Sequence, residues 1–358
     1  MSATETQDVN ILLLGETGVG KSTFINAFVN YLQTEDFENA LTKDAIILIP
    51  TLATVMDAEG SLIEIREGTA DDNEVQEVGA SATQDVKTYV FPIPEKNILI
   101  RLIDSPGMGD TRGLDVDNDN CEHIFTYLSQ LKELHGICFL MKPTNTRSTV
   151  FFEYCLKQIL SRLDSSACAN IIFVFTNTRG TDYTPGDTLP CLQKIINELE
   201  ANSSHVKIPL KQNIFCLDNE PFKTWIAVRK GHQVKDRLLK GCRESWDVSS
   251  KECKRLFAYI LGENENFPLQ PHQLQTTTSV NEARRLILQL SKPSADISQL
   301  IDDNIRTLGK HKYDLNQENQ SLNELKSKLY IPVMNIETEK LTEPRTVCTS
   351  SSCMDVIT

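Results

Sequence analysis

"NILLLGETGVGKSTFINAF", residues 10–28, sets three glycines and a lysine between an apolar run and a helical pattern. The run from Val9 to Leu14 is short, β-compatible and apolar on both faces, as suits a strand buried inside a parallel sheet. Phe24, Ile25, Phe28 and Leu32 then recur at helical spacing, so Gly15-Glu16-Thr17-Gly18-Val19-Gly20 is a strand-to-helix turn. Without Cβ atoms, Gly18 and Gly20 can turn successive N–H groups inward. The helix N-terminus adds partial positive charge, so the turn favours an anion. Gly15, Gly20, Lys21 and Ser22 complete the pattern G-x-x-x-x-G-K-[ST], in which the lysine reaches β- and γ-phosphates and the serine hydroxyl ligates Mg²⁺.

A second stretch supplies the other half of such a site. "NILIRLIDSPGMGDTRG", residues 97–113, reads as a strand ending in Asp104 and followed by Gly107. An aspartate at that strand end can hold Mg²⁺ through water, and the Gly107 amide can sense a γ-phosphate. A loop hydroxyl is also needed to close over metal and phosphate; Thr83 in "SATQDV" is the candidate, with Ser81 as its competitor. The expected metal set is therefore Ser22, Thr83 and Asp104, and the expected catalytic set is Lys21, Thr83 and Gly107.

The chain has 358 residues, 40% of them hydrophobic, and a net charge of −13. That length accommodates one core of about 200 to 250 residues plus a smaller attachment. The acidic balance argues against nucleic-acid or anionic-membrane surfaces, which need basic patches. Apolar runs such as "AIILI" and "IIFVF" are too short to span a bilayer and read as buried strands. "MSATETQDV" lacks the basic start and apolar core of a secretory signal, and ten scattered cysteines fit reduced, structural thiols. A cytoplasmic location is expected.

Beyond the first helix, two strand-like runs flank Ala58-Glu59-Gly60 as a hairpin would, and the acidic stretch 69–78 reads as a mobile excursion. Strands at "VKTYVFPI", "NILIRLIDS", "GICFLMKP", "NIIFVFTN" and "NIFCLD" then alternate with helices near 121–134, 148–163, 189–201 and "EPFKTWIAVRK". The expected organisation is a disordered start (1–8), an α/β domain (9–265), a connector (266–278), a helical extension (279–330) and a flexible tail (331–358). The extension is either packed along the domain or a partner-binding coiled coil; fewer than four clean heptads favour packing. Cys348 and Cys353 have the spacing of one arm of a zinc site without a second arm, and His205, His232, His272 and His311 read as surface residues.

"LLLGETGVGKSTFINAF", "SATQ" and "LIDSPGMGDTRG" resemble the septin-like G domains of the septins and the AIG1-type GTPases. "FTNTRGTDYTPGDTLP" and "CLDNEPF" are similar to signatures of the AIG1-like group, over a span from residue 9 to about 265. The resemblance implies a three-layer P-loop NTPase (G domain) with a mostly parallel sheet and a helical C-terminal extension. It implies GTP/GDP and Mg²⁺ as cofactors, with Gly15, Thr17, Gly18, Val19, Gly20, Lys21, Ser22 and Thr23 around phosphate. It also implies homodimers across the nucleotide face and protein partners on the C-terminal helices.

Two departures from that pattern matter. Where G domains place [NT]-K-x-D, this chain has Thr176-Asn177-Thr178-Arg179, and an arginine cannot accept the guanine protons. Asn177, Asp182 and Asn219 are the alternative base contacts, the last matching an asparagine that the AIG1-type group places near the base. Met108 follows Gly107 where Ras-like domains carry a water-orienting glutamine, so hydrolysis is expected to be slow, with Arg112 or Arg147 as sources of transition-state charge. The sequence thus points to a slow GTPase acting as a switch or assembly module. The rivals are a pseudo-GTPase scaffold and an ATP-binding P-loop protein.

Overall fold

The structure, a computed structural model, describes residues 6–34, 36–68, 85–107, 114–144, 149–163, 165–202, 205–263, 268–274, 290, 294–310 and 312. The expectations for residues 1–5, the acidic stretch 69–78, Ser81, Thr83, Met108, Arg112, Arg147, His311 and the cysteines at 348 and 353 lie outside these residues. Two units divide the chain, residues 1–283 and 284–358.

In the first unit, β1 (Gln7–Gly15) leads through the glycine turn into α1 (Lys21–Gln33), and the short α2 (Phe37–Leu41) is capped by Asp36, whose side chain accepts the Asn39 N–H. The run "AIILI" that follows is not a strand, contrary to its composition. Its backbone is paired by side chains of α1: Asn26 Oδ1 accepts the Leu48 and Ile49 N–H groups at 2.9 and 3.0 Å, and Asn30 Oδ1 accepts Ile46 N–H at 3.0 Å. The Asn26 and Asn30 amides in turn donate to the Ile49 and Ile46 carbonyls. Two helix-borne asparagines thus satisfy the groups a neighbouring strand would otherwise take.

The expected hairpin is present as β2 (Thr51–Met56) paired antiparallel to β3 (Leu62–Glu67). Next come β4 (Lys87–Ile93), β5 (Ile98–Asp104), α3 (Leu114–Leu128), β6 (Glu133–Leu134), β7 (Gly136–Met141) and α4 (Thr149–Arg162). The helix expected at 121–134 therefore starts and stops earlier, and its last residues form β6. The unit continues through β8 (Ile171–Phe175), α5 (Thr188–Asn202), β9 (Ile214–Cys216), α6 (Glu220–Arg229), α7 (Asp236–Ile260) and β10 (His272–Gln273).

The main sheet has six strands in the order β4-β5-β1-β7-β8-β9, all parallel except β4 at its edge. Alternation along each central strand builds two cores. Ile11, Leu13, Cys138, Leu140, Ile172 and Val174 face the side of α1, α6 and α7, with Phe28, Trp225 and Trp246. Leu12, Leu14, Ile137, Phe139, Ile171 and Phe173 face the side of α3, α4 and α5, with Ile124, Leu156 and Leu192. Strands buried on both faces read as continuous apolar runs for this reason. This is the three-layer α/β architecture of a P-loop G domain.

Helix α7 is the longest element of the unit, and no sequence signal singled it out. Its buried face carries Cys242, Ser245, Ser249, Ser250 and Cys253 alongside Trp246 and Phe257, so small and hydroxylated residues interrupt the apolar stripe. The region expected as a connector at 266–278 also departs from its composition. Residues 272–273 pair with β6 as β10, and Leu269, His272 and Leu274 are buried. His272 is thus an interior residue whose Nδ1 meets Ser166 Oγ at 3.0 Å, whereas His205 and His232 are exposed as expected.

In the second unit, residues 294–310 are helical. Among the described residues no helix is long and apolar enough to cross a membrane. The described cysteines are free thiols, and burial pushes Cys216 up to about 12.

Candidate nucleotide site

The glycine turn sits at the carboxyl end of β1, in the middle of the sheet, between the ends of β5 and β7. Gly18 and Gly20 hold left-handed backbone, at φ +75° and +98°, and Gly20 forms the N-terminal boundary of α1 without a side-chain cap. These are the conformations that aim successive amides into one hollow. Gly15 is needed for another reason: a Cβ there would lie 2.8 Å from the Leu140 carbonyl oxygen of β7.

Lys21 is 7% exposed, and its ammonium donates to the Gly15 carbonyl at 3.0 Å across the mouth of the turn. Ser22 and Thr23 follow, both half-buried, in the first turn of the helix. Thr176 adds a tether from β8: its hydroxyl donates to the Val19 carbonyl at 2.8 Å and fixes the turn against the sheet. The sequence had marked Thr176 only as part of a departing motif. Its buried position at the strand end is what makes it structural.

On the β5 side, Asp104 is fully buried at the strand's carboxyl end, in register with Leu13. Ser105 donates to the Leu13 carbonyl at 2.8 Å, which clamps the two strand ends together. Gly107 packs so closely on the turn that a Cβ would meet Thr17 Oγ1 at 2.4 Å and Thr17 Cα at 2.9 Å. At Gly107 the chain after β5 therefore rests on the glycine turn itself. Thr17 Oγ1 is buried there without a hydrogen-bond partner.

The segment after β9 approaches from the other side. Asn219 is 3% exposed, and neither its amide nitrogen nor its oxygen has a partner. The nitrogen lies 3.9 Å from the position a Cβ would take on Gly20. A buried carboxamide with both polar atoms unmet costs on the order of 1–3 kcal/mol, and its place beside the turn suits a ligand group that both donates and accepts.

Asp218, by contrast, is fully engaged. Its carboxylate accepts the Arg179 and Glu220 N–H groups at 3.2 and 2.8 Å, its N–H donates to Ser249 Oγ at 2.9 Å, and its carbonyl accepts the Tyr31 hydroxyl at 2.7 Å. Arg179 points elsewhere: its guanidinium donates to Glu220 at 3.2 Å and lies over Gly241, where a Cβ would sit 1.9 Å from Nη2.

Of the expected site residues, the fold gathers Gly15, Thr17, Gly18, Val19, Gly20, Lys21, Ser22, Thr23, Asp104, Gly107 and Asn219 around one hollow. Asn177 and Asp182 are exposed, both in left-handed backbone at the two ends of a 3₁₀ turn, and no described bond joins either side chain to the hollow. Thr83 lies outside the described residues.

No family model matches the chain. A relative, GTP-binding protein A of Dictyostelium discoideum, is 27% identical over 169 residues, which make up 47% of this chain and 28% of that protein. The chain thus spans under a third of the relative it matches. Among solved structures it is similar to Toc33 from Arabidopsis thaliana in complex with GDP and Mg²⁺, at 13% identity over 75% of this chain and 88% of that one, with a TM-score of 0.42. Translation elongation factor SelB from Methanococcus maripaludis, in complex with the GTP analogue GppNHp, is 13% identical over 68% of this chain and 35% of that one, with a TM-score of 0.30.

Proposed function

We propose that this chain is a Mg²⁺-dependent GTP-binding protein, a slow GTPase that works as a nucleotide switch or assembly module in the cytoplasm. One observation carries the reading: two left-handed glycines and a desolvated lysine open α1 directly beside an unpartnered, buried carboxamide. Phosphates and a base would meet the two halves of that arrangement. The sequence match to a GTP-binding protein supports guanine.

In this reading the main-chain amides of residues 18–23 and the Lys21 ammonium hold the β- and γ-phosphates. Lys21 exchanges its bond to the Gly15 carbonyl for a phosphate oxygen, a stronger, charge-assisted partner. Ser22 and Thr83 supply metal-ligating oxygens, and Asp104 orients the metal's water from its buried strand end. Bound Mg²⁺ would neutralise charge on the β- and γ-oxygens. The Gly107 amide meets the γ-phosphate, and its packing on Thr17 links that contact to the loop after β5. Asn219 reads the base edge. Homodimers across this face would bring a second chain's charged residues to it.

Isothermal titration with GTP, GDP and ATP, with and without Mg²⁺, tests the reading. Micromolar or tighter binding of both guanine nucleotides is expected. Absence of binding by all three would remove the proposal, and ATP preference would remove the base assignment alone.

A second reading, a pseudo-GTPase scaffold, is favoured by Arg179, which occupies the position of the usual base acceptor and is tied to Glu220. Single-turnover hydrolysis separates the two. Turnover that disappears in Lys21→Ala supports the enzyme, and no turnover in either form supports the scaffold.

A further inference from the structure

The edge of a purine base carries a fixed pattern of donors and acceptors, and the protein groups that face it set which bases are accepted. Guanine and hypoxanthine share the 6-carbonyl and the N1–H. They differ at position 2, where guanine alone carries an amino group. Reading that amino group takes an acceptor, and a carboxylate, with two, can accept N1–H and a 2-amino proton together.

Under the proposed function the base lies beside Asn219, and the acceptors around that residue are engaged elsewhere. One carboxylate oxygen of Asp218 accepts the Arg179 N–H at 3.2 Å, and the other accepts the Glu220 N–H at 2.8 Å. The Asp218 carbonyl accepts the Tyr31 hydroxyl at 2.7 Å, and the Leu217 carbonyl accepts the Thr178 hydroxyl at 3.0 Å. Glu220 is exposed and paired with the Arg179 guanidinium. Asp182 is exposed, and no described bond joins its side chain to Asn219.

Asn219 itself is different. It stands at the N-cap position of α6, where an asparagine side chain ordinarily accepts a helix N–H, yet it makes no such bond. Its carboxamide is 3% exposed with both polar atoms unmet. Such a group presents one donor and one acceptor side by side. Guanine and hypoxanthine offer the complement at O6 and N1–H, so Nδ2 donates to the first and Oδ1 accepts the second. Set against N1 and position 2 instead, the same amide would oppose its N–H to the guanine amino group, donor against donor.

We infer that this chain takes 6-oxopurine nucleotides as a class, binding hypoxanthine nucleotides as tightly as guanine ones, because Asn219 reads O6 and N1–H and no acceptor among the described residues reads position 2. The inference rests on the guanine-nucleotide reading above and names its substrate class.

Isothermal titration of the full chain with GTP and inosine triphosphate in Mg²⁺ tests it. The two dissociation constants should agree within about threefold. Asn219→Ala should weaken both by about tenfold or more and leave their ratio unchanged, because the contacts it removes are common to the two bases. GTP bound at least about tenfold more tightly than inosine triphosphate would overturn the inference and leave the guanine-nucleotide reading standing. A ratio that shifts in Asn219→Ala, or in Asp182→Asn, would overturn it too, by showing that the altered side chain reads position 2. Failure of both nucleotides to bind would remove the proposed function and this inference with it.

Discussion

Asn219 carries a buried cost that, under the proposed function, a bound base would relieve. Its carboxamide is buried with no partner, so Asn219→Ala removes an unmet polar group and leaves the nucleotide-free fold within about 1 kcal/mol of the parent. The same change should weaken GTP by about tenfold or more and narrow its preference over ATP, as titration of the two nucleotides would show. An ordinary core asparagine would behave the other way, losing stability and leaving affinity intact. Lys21→Ala acts on phosphate instead and should weaken GTP and GDP by about 100-fold or more, on the order of 3 kcal/mol. Gly107→Ala forces a methyl against the Thr17 backbone, so thermal unfolding should register a loss of about 1–3 kcal/mol together with weaker triphosphate binding.

Between elements, the turn that carries Asn219 is held by its neighbour Asp218, and Asp218 is held from α1 and α7. Tyr31 lies edge-on to Trp246 with ring centroids 4.7 Å apart, and its hydroxyl reaches the Asp218 carbonyl. The helix that follows the glycine turn therefore also fixes the segment that carries Asn219. Tyr31→Phe should relax base preference by about three- to tenfold while leaving affinity for inorganic tripolyphosphate unchanged, since it removes one hydrogen bond worth about 1 kcal/mol. Equal losses for GTP and tripolyphosphate would show that the hydroxyl serves the fold as a whole. Asn26 makes the corresponding link from α1 to residues 48–49. Asn26→Leu, which strands two N–H groups and a carbonyl, should cost about 2–4 kcal/mol in denaturant unfolding.

At the scale of the molecule, acid and ligand act on the whole fold. His135 is buried beside β1 and its Nδ1 accepts the Asn10 N–H at 3.2 Å, so the neutral ring continues the strand pairing as a backbone group would. Burial lowers its pKa, against smaller opposing effects of Glu133 and Asp8. A depressed histidine binds fewer protons folded than unfolded. Its contribution is therefore whole above the unfolded value of about 6.5 and is lost as pH falls below it. Urea midpoints should drop between pH 7.5 and 5.5, and His135→Asn should flatten that slope. Binding acts in the opposite direction: GTP with Mg²⁺ at about 100 times its dissociation constant adds about 2.7 kcal/mol, a rise in melting temperature of roughly 5–10 °C.

Residues 10–28 determined by themselves that a strand, a glycine turn and a helix occur in that order, because glycine placement and apolar period are local properties of the chain. The strands of the main sheet were legible for a related reason: burial on both faces leaves unbroken apolar runs. The tertiary structure alone decided that "AIILI" is no strand, that residues 268–274 return to the domain, and that a helix rich in serine and cysteine packs as α7. In each case the deciding partner is distant in sequence: the asparagines of α1, the edge of β6, and Tyr31 with its aromatic neighbours. The site divides in the same way. Lys21, Ser22 and Asp104 follow from spacing, whereas the tether from Thr176 and the approach of Asn219 to Gly20 depend on how the ends of β8 and β9 meet the turn after β1.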